Sequence, residues 1–310
     1  MTAPKPAVTI VGSANMDIVF TIARSPQPGE TVLAESAARY PGGKGLNQAV
    51  AAARAGADTS FIGAVGADEN GASLTATMTE ADIGIDQLRT TDSHETGQAF
   101  IVVDGSGENT IIVASGANAS VTELTGEERA QLEHSAVVLM QLELPLGAVE
   151  EAARVAHYAG ATVMVNAAPA RTLPATLLAE VDLLIVNEHE ACIVSGLDDL
   201  DAASAALAAL VPRLVVTLGS AGSVLFDRGV ELARVRAPKV AAVDTTGAGD
   251  TFCGALAAAL AEGREFADAA AFASIAASLS VQKLGAVPSI PTRGQIEAAQ
   301  IEAAQITAAQ

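Results

Sequence analysis

Residues 244–262 read DTTGAGDTFCGALAAALAE, and this stretch decides the fold. From Gly249 onward it is apolar and Ala-rich, which predicts a buried helix over 249–262. Three small residues, Gly247, Ala248 and Gly249, open it and let the backbone approach a ligand closely. A helix N-terminus adds free N–H donors and the positive end of the peptide dipole, so the stretch predicts an anion hole. Asp250 follows in the first turn. A carboxylate there also serves as a helix cap, but two glycines beside it cost helix stability, which favours a ligand role. N–H groups that hold a moving charge, next to a carboxylate that takes a hydroxyl proton, are what phosphoryl transfer needs.

Upstream, apolar runs of strand length alternate with Ala-rich helical patterns. AVTIVG (7–12), AVVLM (136–140), ATVMV (161–165), VDLLIV (181–186) and RLVVTL (213–218) read as buried strands. Residues 147–158, 201–210, 249–262 and 266–281 read as helices. Continuous apolar strands spaced by helices predict an α/β fold, with a mainly parallel sheet covered on both faces. Residues 14–40 and 97–114 break the rhythm. The second is two β-prone runs around an Asp104-Gly105 turn, a predicted hairpin, and the two regions together suggest a small β lid outside the main sheet.

Each buried strand runs into polar residues: Ser13, Asn15 and Asp17; Gln141 and Glu143; Asn166; Asn187, Glu188 and Glu190; then Thr217, Gly219, Ser220 and Gly222. Any single cluster reads as a helix cap. Five on the carboxyl rim of one parallel sheet describe a ligand crevice. The second Gly-rich motif, PGGKGLNQA (41–49), opens another Ala-rich helix. It is not a P-loop, because Gly45 rather than Ser or Thr follows Lys44. No strand–GxGxxG–helix unit is present, which excludes a Rossmann dinucleotide site. His94, His134, His157 and His189 are scattered and read as surface or capping residues rather than metal ligands.

The chain of 310 residues is half hydrophobic, enough for one large α/β domain with an accessory element. With 36 Asp plus Glu against 17 Lys plus Arg, the formal charge is −19, which argues against nucleic-acid and anionic-membrane partners. The anion hole then supplies the local positive ground that an anionic substrate requires. Two cysteines, Cys192 and Cys253, are too few for a disulfide framework and read as reduced core residues. No secretory signal or membrane-spanning run is visible, so a cytoplasmic location is expected. The last fifteen residues repeat as IEAAQ, IEAAQ, ITAAQ, a helix-prone tail over 294–310 with no expected site.

On GSANMD (12–17), PGGKGLNQAVAAARAGA (41–57), MQLELP (140–145), NAAPAR (166–171), NEHEA (187–191), TLGSAG (217–222), DTTGAGDTFCGAL (244–256) and KLGAVPS (283–289), the chain resembles the ribokinase family of carbohydrate kinases. The resemblance covers residues 7–293, so 1–293 is the expected kinase domain, a three-layer sandwich with a small β-sheet lid. It implies an ATP-dependent kinase of a small sugar, D-ribose first and deoxyribose, fructose or a nucleoside as alternatives. Asp250 would be the base and Gly247, Ala248 and Gly249 the anion hole. Sugar-binding positions would be Asn15 and Asp17 in the first loop, Gly43, Lys44, Asn47, Glu143 and Asp250. Nucleotide positions would be Asn187, Glu190, Thr217, Gly219, Ser220, Gly222 and Gly249, with Asn187 and Glu190 tied to Mg²⁺. Family members also hold a monovalent cation, usually K⁺, which would sit at Asp244, Thr246, Ser280, Lys283, Gly285 and Ser289, chiefly on backbone carbonyls. The lid would close over the sugar and pair two subunits as a homodimer. Two departures stand out: family members often carry His where this chain has Ser274, and Asn where it has Cys253. A sensor that kept the fold and lost turnover is disfavoured, because Asp250 and its Gly-rich loop are intact.

Overall fold

The computed structural model describes residues 7–105 and 109–308. Its strands are β1 (Ala7–Val11), β2 (Asn15–Thr21), β3 (Ser36–Gly42), β4 (Asp58–Gly66), β5 (Leu88–Thr91), β6 (Gly97–Val103), β7 (Asn109–Ala114), β8 (Val137–Met140), β9 (Thr162–Asn166), β10 (Leu183–Asn187), β11 (Arg213–Thr217), β12 (Ser223–Asp227) and β13 (Val230–Val235). Nine of them form one sheet in the order β13-β12-β11-β10-β9-β8-β1-β4-β5. The seven strands from β11 to β5 are parallel, and β12 and β13 add an antiparallel edge.

Side chains alternate across each strand, so every central strand feeds two cores. Val8, Ile10, Val137, Leu139, Leu183 and Ile185 join one core, with the helices Lys44–Ala55, Ala248–Ala261 and Phe266–Ser280. Val11, Val138, Met140, Leu184 and Val186 face the other, with Leu146–Tyr158 and Leu200–Ala208. The Ala-rich composition allows helices to pack unusually close. A Cβ at Gly254 would lie 2.3 Å from the Gln48 carbonyl oxygen, so helix Ala248–Ala261 presses directly on helix Lys44–Ala55.

All five strands read from apolar runs are present, as β1, β8, β9, β10 and β11. β4 escapes a run-based reading because its sequence, DTSFIGAVG, starts polar and is broken by glycine. The lid is a four-stranded sheet, β3-β2-β6-β7, in which β2 runs parallel to β6. β6 and β7 form the expected antiparallel hairpin, with part of its connection, 106–108, outside the described residues. Asn15 and Asp17 are not in a loop, as expected, but on β2, where pairing with both β3 and β6 stiffens them. Cys253 is buried as expected, whereas Cys192 is only half-buried, on a helix that lies at the surface. The repetitive tail is helical from Arg293 to Ala308. Its first turn belongs to the body of the protein: Ile296 is buried, and Arg293 pairs with Glu262.

Candidate active site

The site lies where the carboxyl ends of the parallel strands meet the lid. β1 turns at Ser13 into β2, and the GGK loop lies flat over that turn. Gly43 has φ 91°, a left-handed conformation, and a Cβ there would meet Asn15 N at 2.8 Å. A Cβ at Gly45 would meet Ser13 N at 2.5 Å. Glycine at these places lets helix Lys44–Ala55 begin against the strand, with the Leu46 amide donating to the Ser13 carbonyl at 2.9 Å. Asn47 and Gln48 then point from its first turn toward helix Ala248–Ala261.

Asp250 is buried, and each of its oxygens accepts an amide N–H. Asn47 Nδ2 donates to Oδ2 and Gln48 Nε2 to Oδ1, both at 2.9 Å. Helix Ala248–Ala261 is capped by Gly247 at φ 72°, with no side-chain cap. Of the three expected anion-hole residues, Ala248 donates its amide to the Thr245 carbonyl at 3.2 Å. Among the described residues the amides of Gly247, Gly249 and Asp250 have no acceptor and stay open to an anion. Asn47 Oδ1 is buried without a donor. An orphaned buried acceptor beside a carboxylate costs stability unless a ligand supplies the proton, and a sugar hydroxyl fits both.

Several of the residues expected to bind the sugar gather around the β1–β2 turn. Glu143 Oε2 accepts from Ser13 Oγ and, at 3.2 Å, from Lys44 N. Asn118, which sequence reading passed over, fixes Asn15. Its Nδ2 donates to Asn15 Oδ1 at 2.8 Å and to the Ala14 carbonyl at 3.2 Å, and its Oδ1 accepts from Ala14 N at 3.1 Å. Asn15 Nδ2 is thereby left for a ligand acceptor. The Asp17 carboxyl rests on Gly42 and has no hydrogen-bond partner among the described residues. Burial, then Glu143 and Asp250, push it up to about 7, with Lys44 opposing. Burial works against the charge on Lys44, yet Asp250, Glu143 and Glu190 raise its pKa, so it stays a cation.

Two cavities join along this rim. A polar chamber of about 220 Å³ is lined by Lys44, Asn166, Asn187, Glu190, Asp250 and Cys253. An apolar slot of about 380 Å³ is lined by Gly219, Ser220, Val240, Phe252, Ser274 and Val281. Thr217 and Gly249 belong to both. A charged group on one side and a flat apolar one on the other describe a nucleotide. A larger groove of about 670 Å³ beside helix Glu69–Glu80 gathers no such chemistry: its Asp68 is already engaged by Gly71 N and Thr96.

Asn187 and Glu190 make a capping box on helix Glu188–Ser195, each side chain accepting from the other's backbone N–H at 2.8 Å. Burial raises the Glu190 carboxyl, with the Asn187 amide and Lys44 acting against it. Around the expected cation position, Asp244 Oδ1 accepts from Thr246 N at 2.9 Å and Oδ2 from Gly285 N at 2.8 Å. These bonds outweigh burial and hold the Asp244 carboxyl below the usual range. They also tie the 244–250 loop to the Gly285–Ser289 segment, whose Ala286 packs against Gly247. Ser280 and Ser289 are buried nearby, each donating its hydroxyl to a helical carbonyl, and Lys283 is exposed. With both Asp244 oxygens engaged, a cation here would rely on backbone carbonyls, a donor set that suits K⁺. No group of three or more His, Cys, Asp or Glu side chains among the described residues is placed to hold a metal ion by itself, so a divalent ion here would draw on phosphate oxygens and water.

A family model described as pfkB family carbohydrate kinase matches residues 5–293. The chain is 41% identical to the ribokinase of Haemophilus influenzae, over 92% of this chain and 95% of that one. It is 39% identical to the ribokinase of Bacillus subtilis, over 94% and 98% respectively. Among solved structures, Arabidopsis thaliana ribokinase complexed with ribose and ATP superimposes with a TM-score of 0.88 at 34% identity, covering 95% of this chain and 98% of that one.

Proposed function

This chain belongs to the pfkB family of carbohydrate kinases, and we propose that it transfers the γ-phosphoryl group of ATP to O5 of D-ribose, giving ribose 5-phosphate and ADP. The observation that carries the reading is the Asp250 carboxylate, buried between two amide donors and beside free N–H groups on the wall of a chamber that also holds Lys44. Ribose lies against Asn15, Asp17, Gly43, Asn47 and Glu143, and its primary hydroxyl faces Asp250. Asp250 takes the hydroxyl proton as O5 attacks the γ-phosphorus. The amides of Gly247 and Gly249 and the Lys44 ammonium meet the charge that develops on the phosphoryl oxygens. The adenine occupies the apolar slot over Phe252, Val240 and Val281. Ser274 offers it a small hydroxyl in place of an imidazole.

Mg²⁺ would be held mainly by the ATP phosphates, with Asn187 and Glu190 at the edge of that network, and would neutralise phosphate charge. K⁺ would order the 244–250 loop through carbonyls near Asp244, Thr246, Ser280, Gly285 and Ser289. The lid edge β7 exposes Ile111, Ile112 and Val113 at 53, 65 and 45%, an apolar row that suits lid-to-lid pairing of two copies. No helix among the described residues is long and apolar enough to cross a membrane. We place the reaction in the cytoplasm, where the free cysteines Cys192 and Cys253 stay reduced.

ADP release with ATP, Mg²⁺ and a panel of sugars, in K⁺ and in Na⁺, tests this reading. Ribose should give the highest kcat/KM, and Na⁺ should lower it. A higher value for fructose or a nucleoside would replace the substrate, and equal rates in the two salts would remove the cation site.

A further inference from the structure

Gln48 has no part in the reaction described above, yet it is fully buried at the centre of the site's hydrogen bonding. Its Nε2 donates to Asp250 Oδ1 at 2.9 Å and to Asn166 Oδ1 at 3.1 Å. Its Oε1 accepts from Gln141 Nε2 at 2.6 Å. Two acceptors at the NH₂ end fix the direction of this chain. The Ile185 carbonyl accepts from Asn166 Nδ2 at 3.4 Å, which turns Asn166 Oδ1 toward Gln48. An ionised Asp250 can only accept. Gln48 must therefore present its NH₂ edge to both and its carbonyl to Gln141. A half-turn of the amide would set three acceptors against one another with no proton between them.

Gln141 is also fully buried, and its Oε1 has no donor. That oxygen is pressed onto Gly12, where a Cβ would lie 2.1 Å away. Its carbonyl half therefore costs stability, and the half that is used is the NH₂ facing Gln48. The two glutamines lie 93 positions apart, on a helix and at a strand end, and form one hydrogen-bonded chain that ends at the Asp250 carboxylate. Without Gln48, Asp250 would keep only the Asn47 bond and its carboxylate plane would be free to turn.

We propose that Gln48 is a positioning residue for phosphoryl transfer: it fixes the Asp250 carboxylate through Oδ1, and Gln141 anchors the carbonyl end of the same amide. This rests on Asp250 being the base. Neither glutamine hydrogen-bonds to Asn15, Asp17 or Glu143 among the described residues, so removing either acts on kcat and leaves substrate binding intact.

The test is steady-state kinetics of Gln48→Met, Gln141→Met, the double variant and Asp250→Asn, with ribose binding measured by calorimetry. Gln48→Met should lower kcat by on the order of tenfold to a hundredfold, while KM for ribose and ATP stays within threefold. Gln141→Met should show a smaller fall with the same split, and the double variant should match Gln48→Met alone, because Gln141 acts through Gln48. A Gln48→Met kcat within twofold of wild type, with Asp250→Asn inactive, rejects the positioning role and leaves the base in place. Asp250→Asn turning over near the wild-type rate removes the base and this proposal together. Should Gln48→Met fail to fold, Gln141→Met decides: an unchanged kcat, or a rise in KM equal to the fall in kcat, overturns the proposal.

Discussion

Asp17 should make ribose binding depend on pH near neutrality. Its carboxyl is pushed up to about 7 by burial, and then by Glu143 and Asp250. A carboxylate accepts hydroxyl protons on both oxygens, whereas the neutral acid keeps one for itself. If ribose takes the ionised form, its apparent affinity falls by about tenfold from pH 8 to pH 6. Stability of the sugar-free protein should move the opposite way. A carboxyl raised from 3.8 to about 7 favours the folded state fully below pH 3.8, and that contribution is lost as pH climbs to about 7. The full loss is on the order of 4 kcal/mol. Asp17→Asn removes the penalty, so at pH 8 the free variant should melt several degrees above wild type and only slightly above it at pH 4. The same variant should bind ribose roughly tenfold to a hundredfold more weakly at pH 8, from the lost charged hydrogen bonds. Its binding should no longer change between pH 6 and pH 8. Calorimetric ribose titrations at pH 6, 7 and 8, with melts at pH 4 and 8, read all of these. Wild-type affinity flat within twofold, or a variant that keeps the tenfold dependence, would refute the reasoning.

Gly45→Ala places a Cβ 2.5 Å from Ser13 N, a backbone atom that cannot yield cheaply. Stability should fall by about 1–3 kcal/mol and ribose KM should rise, as denaturant melts and kinetics would show. Asn118→Ala frees Asn15 and leaves both polar groups of Ala14 unpaired. It should raise ribose KM with a smaller effect on ATP KM, and cost about 1–3 kcal/mol in a denaturant melt.

The sheet was legible in the sequence because its central strands are covered on both faces and so read as unbroken apolar runs. β4 was not, since DTSFIGAVG mixes polar and glycine positions that make sense only against the β1 turn, where Gly63 meets the Gly12 carbonyl. The lid was legible as β-prone sequence, but its parallel β2–β6 pairing joins segments about 80 residues apart and has no local signal. Asp250 stood out because glycines crowd a helix start beside it. Gln48, Gln141 and Asn118 did not, because an interior amide declares its role only through its partners. Those partners lie 202, 93 and 103 positions away, and the first pair is brought close by two Ala-rich helices packing without bulky side chains between them. That the Ala248 amide turns to the Thr245 carbonyl while the Asp250 amide stays open is likewise a backbone detail that residue types alone do not encode.

The most direct measurement is a single-turnover transfer of labelled γ-phosphate from ATP to ribose by Asp250→Asn, with ribose affinity determined on the same sample. The amide keeps the size of the carboxylate, with its oxygen toward Gln48 and its NH₂ toward an Asn47 side chain turned to present its unpaired Oδ1, but it cannot take a proton. Binding should persist near the wild-type value while transfer falls by roughly a thousandfold or more. Transfer within tenfold of wild type, with ribose bound normally, would contradict the assignment of Asp250 as the base.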